Sequence, residues 1–305
     1  MSLLSDIAFD HQDRRIRLAD RTAGRVRGLW RGADVDALDA SWDALAPVLT
    51  AQVVSAQVVA ARQSGPYLNR LGRGDTVLDP AMFAGSMVDG RDVGPALFGG
   101  VTTAKKAIRS GVAPRLAFEA GAAFMTVLVK AAVADAGRAA DASLATGRGY
   151  TRYIRVVSPG ACSRCAILAG SDRYYKHFER HPACKCTSLP VKDGAEIPKG
   201  LYGSPTDYFE SLSRAEQDRV FTNAGAEAIR KGADPISVVN ARRGAYSPRA
   251  MRATGGALPN PRLPGAGANY RRTAQVRLMP EQIIEQAGAD NALAVELLRQ
   301  HGYLR

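Results

Sequence analysis

All four cysteines of this 305-residue chain lie between positions 162 and 186. Cys162 and Cys165 form a Cys-x-x-Cys pair, and His181, Cys184 and Cys186 follow as His-x-x-Cys-x-Cys. Thiolates spaced in this way can point at one ion, and tetrahedral zinc takes four sulfur or imidazole ligands. We therefore predict a structural zinc site in which the four cysteines bind the ion and His181 could replace one of the last two. These five residues are called the Cys/His cluster below.

The sequence leaves three further roles open for the cysteines. Two disulfides are possible, although a cytoplasmic protein rarely keeps them. A redox Cys-x-x-Cys of the thioredoxin type leaves Cys184 and Cys186 unexplained, and buried thiols without a metal are a further alternative. The pair His177-x3-His181 does not match the helical metalloprotease motif, because Phe178 and not Glu follows the first histidine.

The sequence indicates no catalytic residue. It contains neither a G-x-S-x-G motif nor a phosphate loop of the G-x4-G-K-[S/T] type. A Ser-His-Asp arrangement stays open, because such triads are assembled in space and not along the chain.

Apolar residues at three- or four-residue spacing predict long helices in the first half of the chain. One helix is expected from Asp34 or Asp36 to Gly65-Pro66, with a kink or break at Pro47. A second is expected from Pro114 to about Ala145, where small residues around Gly121 allow a neighbour to approach closely. A shorter amphipathic segment is predicted around Ile16 to Trp30. In each of the two long helices these apolar residues form a stripe along one face. The stripes consist of Leu38, Trp42, Leu45, Leu49, Val53 and Ala56 in the first helix and of Phe118, Ala122, Met125, Val129, Ala132 and Ala136 in the second.

The pattern changes after Gly149. Residues 150–157 alternate polar and apolar side chains and predict a strand. Further on, the capping box Ser213-Arg-Ala-Glu216 opens a helix expected to reach Lys231 and to stop at Gly232. More helices are predicted from Asp234-Pro235 to near Gly244, from Pro280 to Gly288, and from Asp290 to Gln300.

These patterns predict an α+β, mostly α fold: long N-terminal helices, a small α+β Cys/His zinc-knuckle module, and short C-terminal helices. We expect Tyr174, Tyr175 and Phe178 to form the small core of the knuckle. The predicted parts are a helical region (1–148), the knuckle module (149–200), a helical segment (201–253), a Gly/Pro-rich linker (254–273) and a small helical end (274–305).

The chain carries 41 Lys and Arg against 29 Asp and Glu, which gives a net charge of +12. A basic surface attracts polyanions, although Arg-rich proteins that bind no DNA are common. From Ala241 onward there are ten Arg, no Lys and four acids. Arg242, Arg243, Arg271 and Arg272 are therefore candidate contacts to nucleic acid. No run of about 18 apolar residues predicts a membrane-spanning helix, and the first residues do not read as a secretory signal.

The run from Tyr153 to Gly170 and the ending His181-Pro-Ala-Cys-Lys-Cys186 resemble the signature of phage Mu F-like minor capsid proteins. That pattern places a C-x-x-C before a short helix and a glycine, and it ends with H-P-x-C-x-C; only Lys185 departs from the usual residue. Residues 204–217 and 232–244, and Leu278-Met-Pro-Glu-Gln-Ile near the end, resemble the actinobacteriophage branch. The similarity covers residues 110–305 well and the N-terminal helices loosely.

The resemblance implies a structural protein of tailed-phage heads that is present in few copies near the portal vertex and assists head assembly. The expected partners are the portal, other capsid or scaffold proteins and packaged double-stranded DNA, with no small-molecule substrate. The expected location is the virion, and the host cytoplasm during assembly. Two alternatives remain: a capsid maturation protease, because related actinophage proteins often carry that label, and a zinc-dependent nucleic-acid-binding module or nuclease.

Overall fold

The computed structural model describes residues 2–72, 74–158, 160–174, 178, 181, 184–241 and 278–304. Within them, helices and a small sheet confirm the predicted mostly α, α+β class. The predicted linker (254–273), Tyr175, His177 and the end of the helix near Gly244 lie outside the described residues.

The elements are numbered in chain order. The helices are α1 (Leu3–Trp30), α2 (Leu38–Arg62), α3 (Ser64–Leu71), α4 (Val93–Leu97), α5 (Gly99–Arg109), α6 (Pro114–Gly147), α7 (Ser163–Ala166), α8 (Pro205–Glu210), α9 (Arg214–Phe221), α10 (Asn223–Arg230), α11 (Pro235–Ala241), α12 (Pro280–Ala287) and α13 (Asn291–Gln300). The strands are β1 (Arg152–Val156), β2 (Asp172–Tyr174) and β3 (Thr187–Val191), and a short 3₁₀ turn covers Pro80–Phe83.

By contacts, the described residues divide into two compact units, one within 1–158 and 172–201 and the other within 159–171 and 202–305. The domain boundaries predicted at 148, 200, 253 and 273 stay predictions.

The core of the first unit is built from α1, α2, α5 and α6. Apart from Ala136, the two predicted stripes lie in it or pack against it, with Trp42 and Phe118 partly buried and Leu49 and Met125 fully buried. Gly121 of α6 faces the backbone of α5, where a Cβ would lie 2.6 Å from the carbonyl oxygen of Gly100. The small residues of α6 therefore permit the close helix approach that the sequence predicted.

Helix α1 is much longer than predicted. It begins at Leu3 with a capping box between Ser2 and Ser5, and not near Ile16. The apolar period fails in its first half because buried positions there are occupied by His11, Gln12 and Arg15. A hydrophobic pattern alone could not detect a helix face whose buried residues are polar.

Helix α2 also differs from the prediction at its ends. Ala37 precedes it without a side-chain cap, so neither Asp34 nor Asp36 caps the helix. The helix runs unbroken through Pro47, and α3 follows directly and contains Gly65-Pro66. Pro66 lies in the first turn of α3, where a missing backbone N–H costs no helical hydrogen bond.

The sheet of the first unit is antiparallel with strand order β2-β1-β3. Strand β1 lies within the predicted segment 150–157 and pairs Ile154 with Leu189 and Arg155 with Ser188 of β3. Pro190 is opposite Tyr153 in β3, an edge strand of this sheet, where a residue without an N–H is tolerated. The sheet packs its apolar side chains against Ala8 of α1.

In the second unit the predicted helix from Ser213 to Lys231 is two helices. The predicted capping box opens α9, but Thr222 has a φ of 67° and its hydroxyl accepts the N–H of Gly225, so that α10 begins anew. The predicted stop at Gly232 agrees with its φ of 96°. Helices α12 and α13 begin at Pro280 and after the cap Asp290, as predicted.

Two helical stretches, 38–71 and 114–147, are long and apolar enough to cross a membrane by length and composition. In the most apolar window of each stretch, 33% is buried in the protein for 38–71 and 44% for 114–147. Both stretches also carry the core stripes described above, as the core helices of non-membrane proteins do. The expectation that no helix spans a membrane stays a prediction.

Candidate metal centre

The residues around Cys184 and Cys186 are held by side chains of the helices. The guanidinium of Arg138 on α6 donates through Nε to the carbonyl of Cys186, at 3.0 Å, and through Nη2 to the carbonyl of Cys184. The amide of Gln12 on α1 donates to the carbonyl of Lys185. The hydroxyl of Tyr67 on α3 donates to the carbonyl of Ser188, at 2.8 Å. Helical side chains thus fix the backbone from 184 to 188, which we call the 184–188 segment.

The four cysteines are free of disulfide bonds. Cys165, Cys184 and Cys186 are buried, and Cys162 is exposed at the start of α7. The disulfide alternative is therefore absent from this structure.

The five residues of the Cys/His cluster are divided between the two units. Cys162 and Cys165 lie in the second unit, and His181, Cys184 and Cys186 lie in the first. As a donor set of four thiols and one imidazole, the cluster could hold a metal ion.

Two hydrogen-bond donors lie at the sulfur of Cys184. The backbone N–H of Cys186 is 3.5 Å from this Sγ, and Nη2 of the buried Arg155 is 3.6 Å from it. Donors at these distances are outer contacts of the kind that orient a metal ligand.

Gly170, the glycine of the sequence motif, is required by its surroundings in the second unit. It has a φ of +67°, and a Cβ at this position would lie 2.1 Å from the carbonyl oxygen of Gly203. No other residue fits there without moving the backbone.

The aromatic residues of this region are arranged differently from the prediction. Tyr174 is 58% exposed and stacks on Arg152, so it is not a core residue. Phe178 is partly buried, lies 5.6 Å from the ring of Tyr153 and is covered by Arg155. Tyr174 lies on β2, an edge strand of the sheet, and all three residues of this strand are exposed.

A second polar cluster, which the sequence patterns described above did not predict, lies beneath the 184–188 segment. Asp141 on α6 is fully buried and accepts hydrogen bonds from Ser64, at 2.7 Å, and from Arg15, at 2.8 Å. Nε2 of His11 lies 3.1 Å from both carboxylate oxygens, and its ring stacks on Tyr67 with 3.8 Å between centroids. We call His11, Arg15, Ser64 and Asp141 the Asp141 network.

The Asp141 network contains a serine, a histidine and an aspartate, but not in the order of a hydrolytic triad. The hydroxyl of Ser64 donates to the carboxylate of Asp141 and not to the imidazole of His11. A triad requires the serine to donate to the histidine, and the serine must reach a substrate. Ser64 is 1% exposed, so this arrangement is a buried structural network.

A signal for these polar residues is present in the sequence. Asp135, Arg138 and Asp141 recur every three residues within the otherwise small, apolar C-terminal half of α6. All three are buried. Charged residues on a helix face of this kind indicate a buried polar contact, because unpaired buried charges are strongly unfavourable.

The predicted nucleic-acid residues Arg242, Arg243, Arg271 and Arg272 lie outside the described residues. Comparison of the chain with protein-family models, with curated proteins and with solved structures finds no match.

Acid should weaken the Asp141 network. Burial, together with Arg15, lowers the pKa of His11 below its usual 6.5. Burial raises the pKa of Asp141, but Arg15, His11 and Ser64 outweigh it and hold that pKa well below 3.8. Both groups bind protons more weakly in the folded state than in the unfolded state. Stability should therefore fall as the pH drops below about 6.5 through His11, and further below about 3.8 through Asp141.

Urea unfolding between pH 7.5 and 5 tests this expectation. An excess of chelator keeps the protein metal-free, so that release of metal at low pH does not contribute to the result. The wild-type free energy of unfolding should decrease by up to about 1.4 kcal/mol per pH unit below pH 6.5 through His11. The His11→Gln variant should be less stable at pH 7.5 and show a flatter pH dependence. Parallel curves for the two proteins would contradict the assignment.

Proposed function

We propose that the protein is a minor capsid structural component of a tailed phage, acting in head assembly near the portal vertex. The observation that carries the proposal is the Cys/His cluster, a donor set that could hold a metal, within a run that resembles the Mu F-like signature. Gly170 adds support, because the motif glycine stands where the backbone admits no side chain. The partners are then the portal and other capsid or scaffold proteins, and the location is the virion.

The metal of this proposal is zinc in a structural role. A donor set of four thiols and one imidazole is soft and matches the ligands of structural zinc sites. The N–H of Cys186 and the guanidinium of Arg155 at the sulfur of Cys184 are outer donors of the kind that orient and stabilise metal ligands. Zinc would hold the ligand-bearing loops together and add folding free energy. The role proposed is binding, and no residue is assigned to catalysis.

Metal analysis of the purified protein tests the zinc proposal. We expect one zinc per chain by mass spectrometry. The Cys162→Ser and Cys184→Ser variants should lose it, because each removes one thiolate of a four-ligand site. Ser163→Ala, next to Cys162 but not a ligand, is the matched control and should retain zinc. Zinc retained in both cysteine variants would contradict the ligand set.

Contact with packaged double-stranded DNA is the second part of the proposal. On α1, Arg21 and Arg25 are exposed one turn apart, and among the described residues neither has an acidic partner. Arg17 on the same helix is paired with Asp13 at 2.6 Å. Unpaired arginines on one helix face suit the evenly spaced phosphates of a duplex. They would act together with Arg242, Arg243, Arg271 and Arg272.

Filter binding to duplex DNA over a range of salt concentrations tests this contact. Affinity should fall steeply with salt, and the double variant Arg21→Ala/Arg25→Ala should reduce the slope of log K against log salt by about 2, about 1 for each lost phosphate contact. Replacing the four C-terminal arginines should reduce it further. Arg17→Ala serves as the control. Binding that is absent at low salt, or indifferent to salt, would contradict the DNA contact.

The capsid role is tested in the phage that encodes the chain. Purified virions should contain the polypeptide in few copies by quantitative mass spectrometry, and deletion of its gene should reduce the yield of infectious particles. Complementation with the wild-type gene is the control. Fully infectious virions without the polypeptide would overturn the proposal. Loss of capsid-protein cleavage in the deletion strain would instead favour the protease alternative.

A further inference from the structure

Arg138 on α6 binds the backbone of two candidate ligand residues, Cys184 and Cys186. Its hydrogen bonds are directed at two places: the carbonyls of Cys184 and Cys186 on one side, and the carboxylate of Asp135, at 3.0 Å, on the other. Its side chain is 6% exposed and that of Asp135 is 7% exposed. A buried guanidinium is thus held by an acid of its own helix and grips the backbone of both cysteines.

We propose that Arg138 is a positioning residue of the metal site, which sets Cys184 and Cys186 in place before the ion binds. This inference rests on the zinc site proposed above. Arg138 does not touch the sulfur atoms in this scheme; it acts through the peptide groups of the two ligand residues. Gln12 assists by binding the carbonyl of Lys185, the residue between them.

The physical reason lies in the Cys-x-Cys spacing. The two residues are separated by one exposed lysine, so their thiols face the same ion only if the peptide planes on either side of Lys185 keep a fixed orientation. Three consecutive carbonyls, from 184 to 186, are held by side chains of α1 and α6. A segment ordered in advance does not lose this conformational entropy when the metal binds, which raises metal affinity.

The planar shape of arginine is needed for this grip. One guanidinium donates through Nε and Nη2 to two carbonyls and through Nη1 to Asp135, with its N–H groups in a fixed fork. A lysine ammonium keeps the charge but cannot reach the three acceptors in this geometry. Arg138→Lys therefore separates a positional role from a role of charge alone.

The contacts also allow a purely structural role, in which Arg138 stabilises the fold without affecting the metal. The two roles differ in what they change. A structural role lowers the free energy of unfolding of the metal-free protein and leaves the zinc affinity of the folded protein unchanged. A positioning role lowers the zinc affinity itself.

The experiment measures zinc affinity by competition with a chromophoric chelator for the full-length wild type and the Arg138→Ala and Arg138→Lys variants. Urea unfolding of the same proteins with chelator in excess gives the metal-free stability. The control is Arg115→Ala, at an exposed position of the same helix. We expect the zinc dissociation constant of both Arg138 variants to rise about 10- to 100-fold, the usual cost of losing an outer-shell partner, and that of Arg115→Ala to stay at the wild-type value.

Unchanged zinc affinity in a folded Arg138→Ala protein would overturn the inference, and so would full rescue by lysine. If circular dichroism shows that Arg138→Ala does not fold, Arg138→Lys decides, since it keeps the buried positive charge beside Asp135. Its zinc dissociation constant should still rise about 10- to 100-fold, and a wild-type value would overturn the inference. A wild-type protein that binds no zinc would instead overturn the metal proposal, and this inference with it.

Discussion

The hydrogen bonds from buried helical side chains to the backbone of the 184–188 segment are the constraint on which the candidate site depends. Extended chain that enters a protein interior must find partners for its carbonyl groups, because an unsatisfied buried carbonyl costs about 1–3 kcal/mol. Here Gln12, Tyr67 and Arg138 supply those partners. Two ligands of the Cys/His cluster, Cys184 and Cys186, thereby receive their position from helices that are distant in sequence.

The charges that make this possible are themselves buried and paired. Arg15 is neutralised by Asp141, and Arg138 by Asp135. Buried ion pairs contribute little net stability, but removing one partner leaves an uncompensated charge that is strongly destabilising. Each pair therefore acts as a unit, because the loss of either member leaves a buried charge without its partner.

The candidate ligands and the helices were largely predictable from the sequence, and the exceptions have physical causes. The stripe of α6 was visible because its core residues are apolar at helical spacing, whereas the first half of α1 was missed because His11, Gln12 and Arg15 occupy its buried face. The break at Thr222 was missed because a threonine hydroxyl that caps a new helix leaves no gap in the apolar pattern. Edge position, and not composition, exposes Tyr174.

The sequence by itself determined the Cys/His cluster and the α+β, mostly α class, because ligand spacing and hydrophobic period are local properties of the chain. Only the tertiary structure decided what surrounds them: the carbonyls that Arg138 binds, the Asp141 network, and the backbone that excludes a side chain at Gly170. The bonds from Arg138 to the two carbonyls, and those of Asp141 with Ser64 and His11, join residues 46 to 130 positions apart. No local pattern encodes such pairings, because they depend on how helices and strands pack against one another.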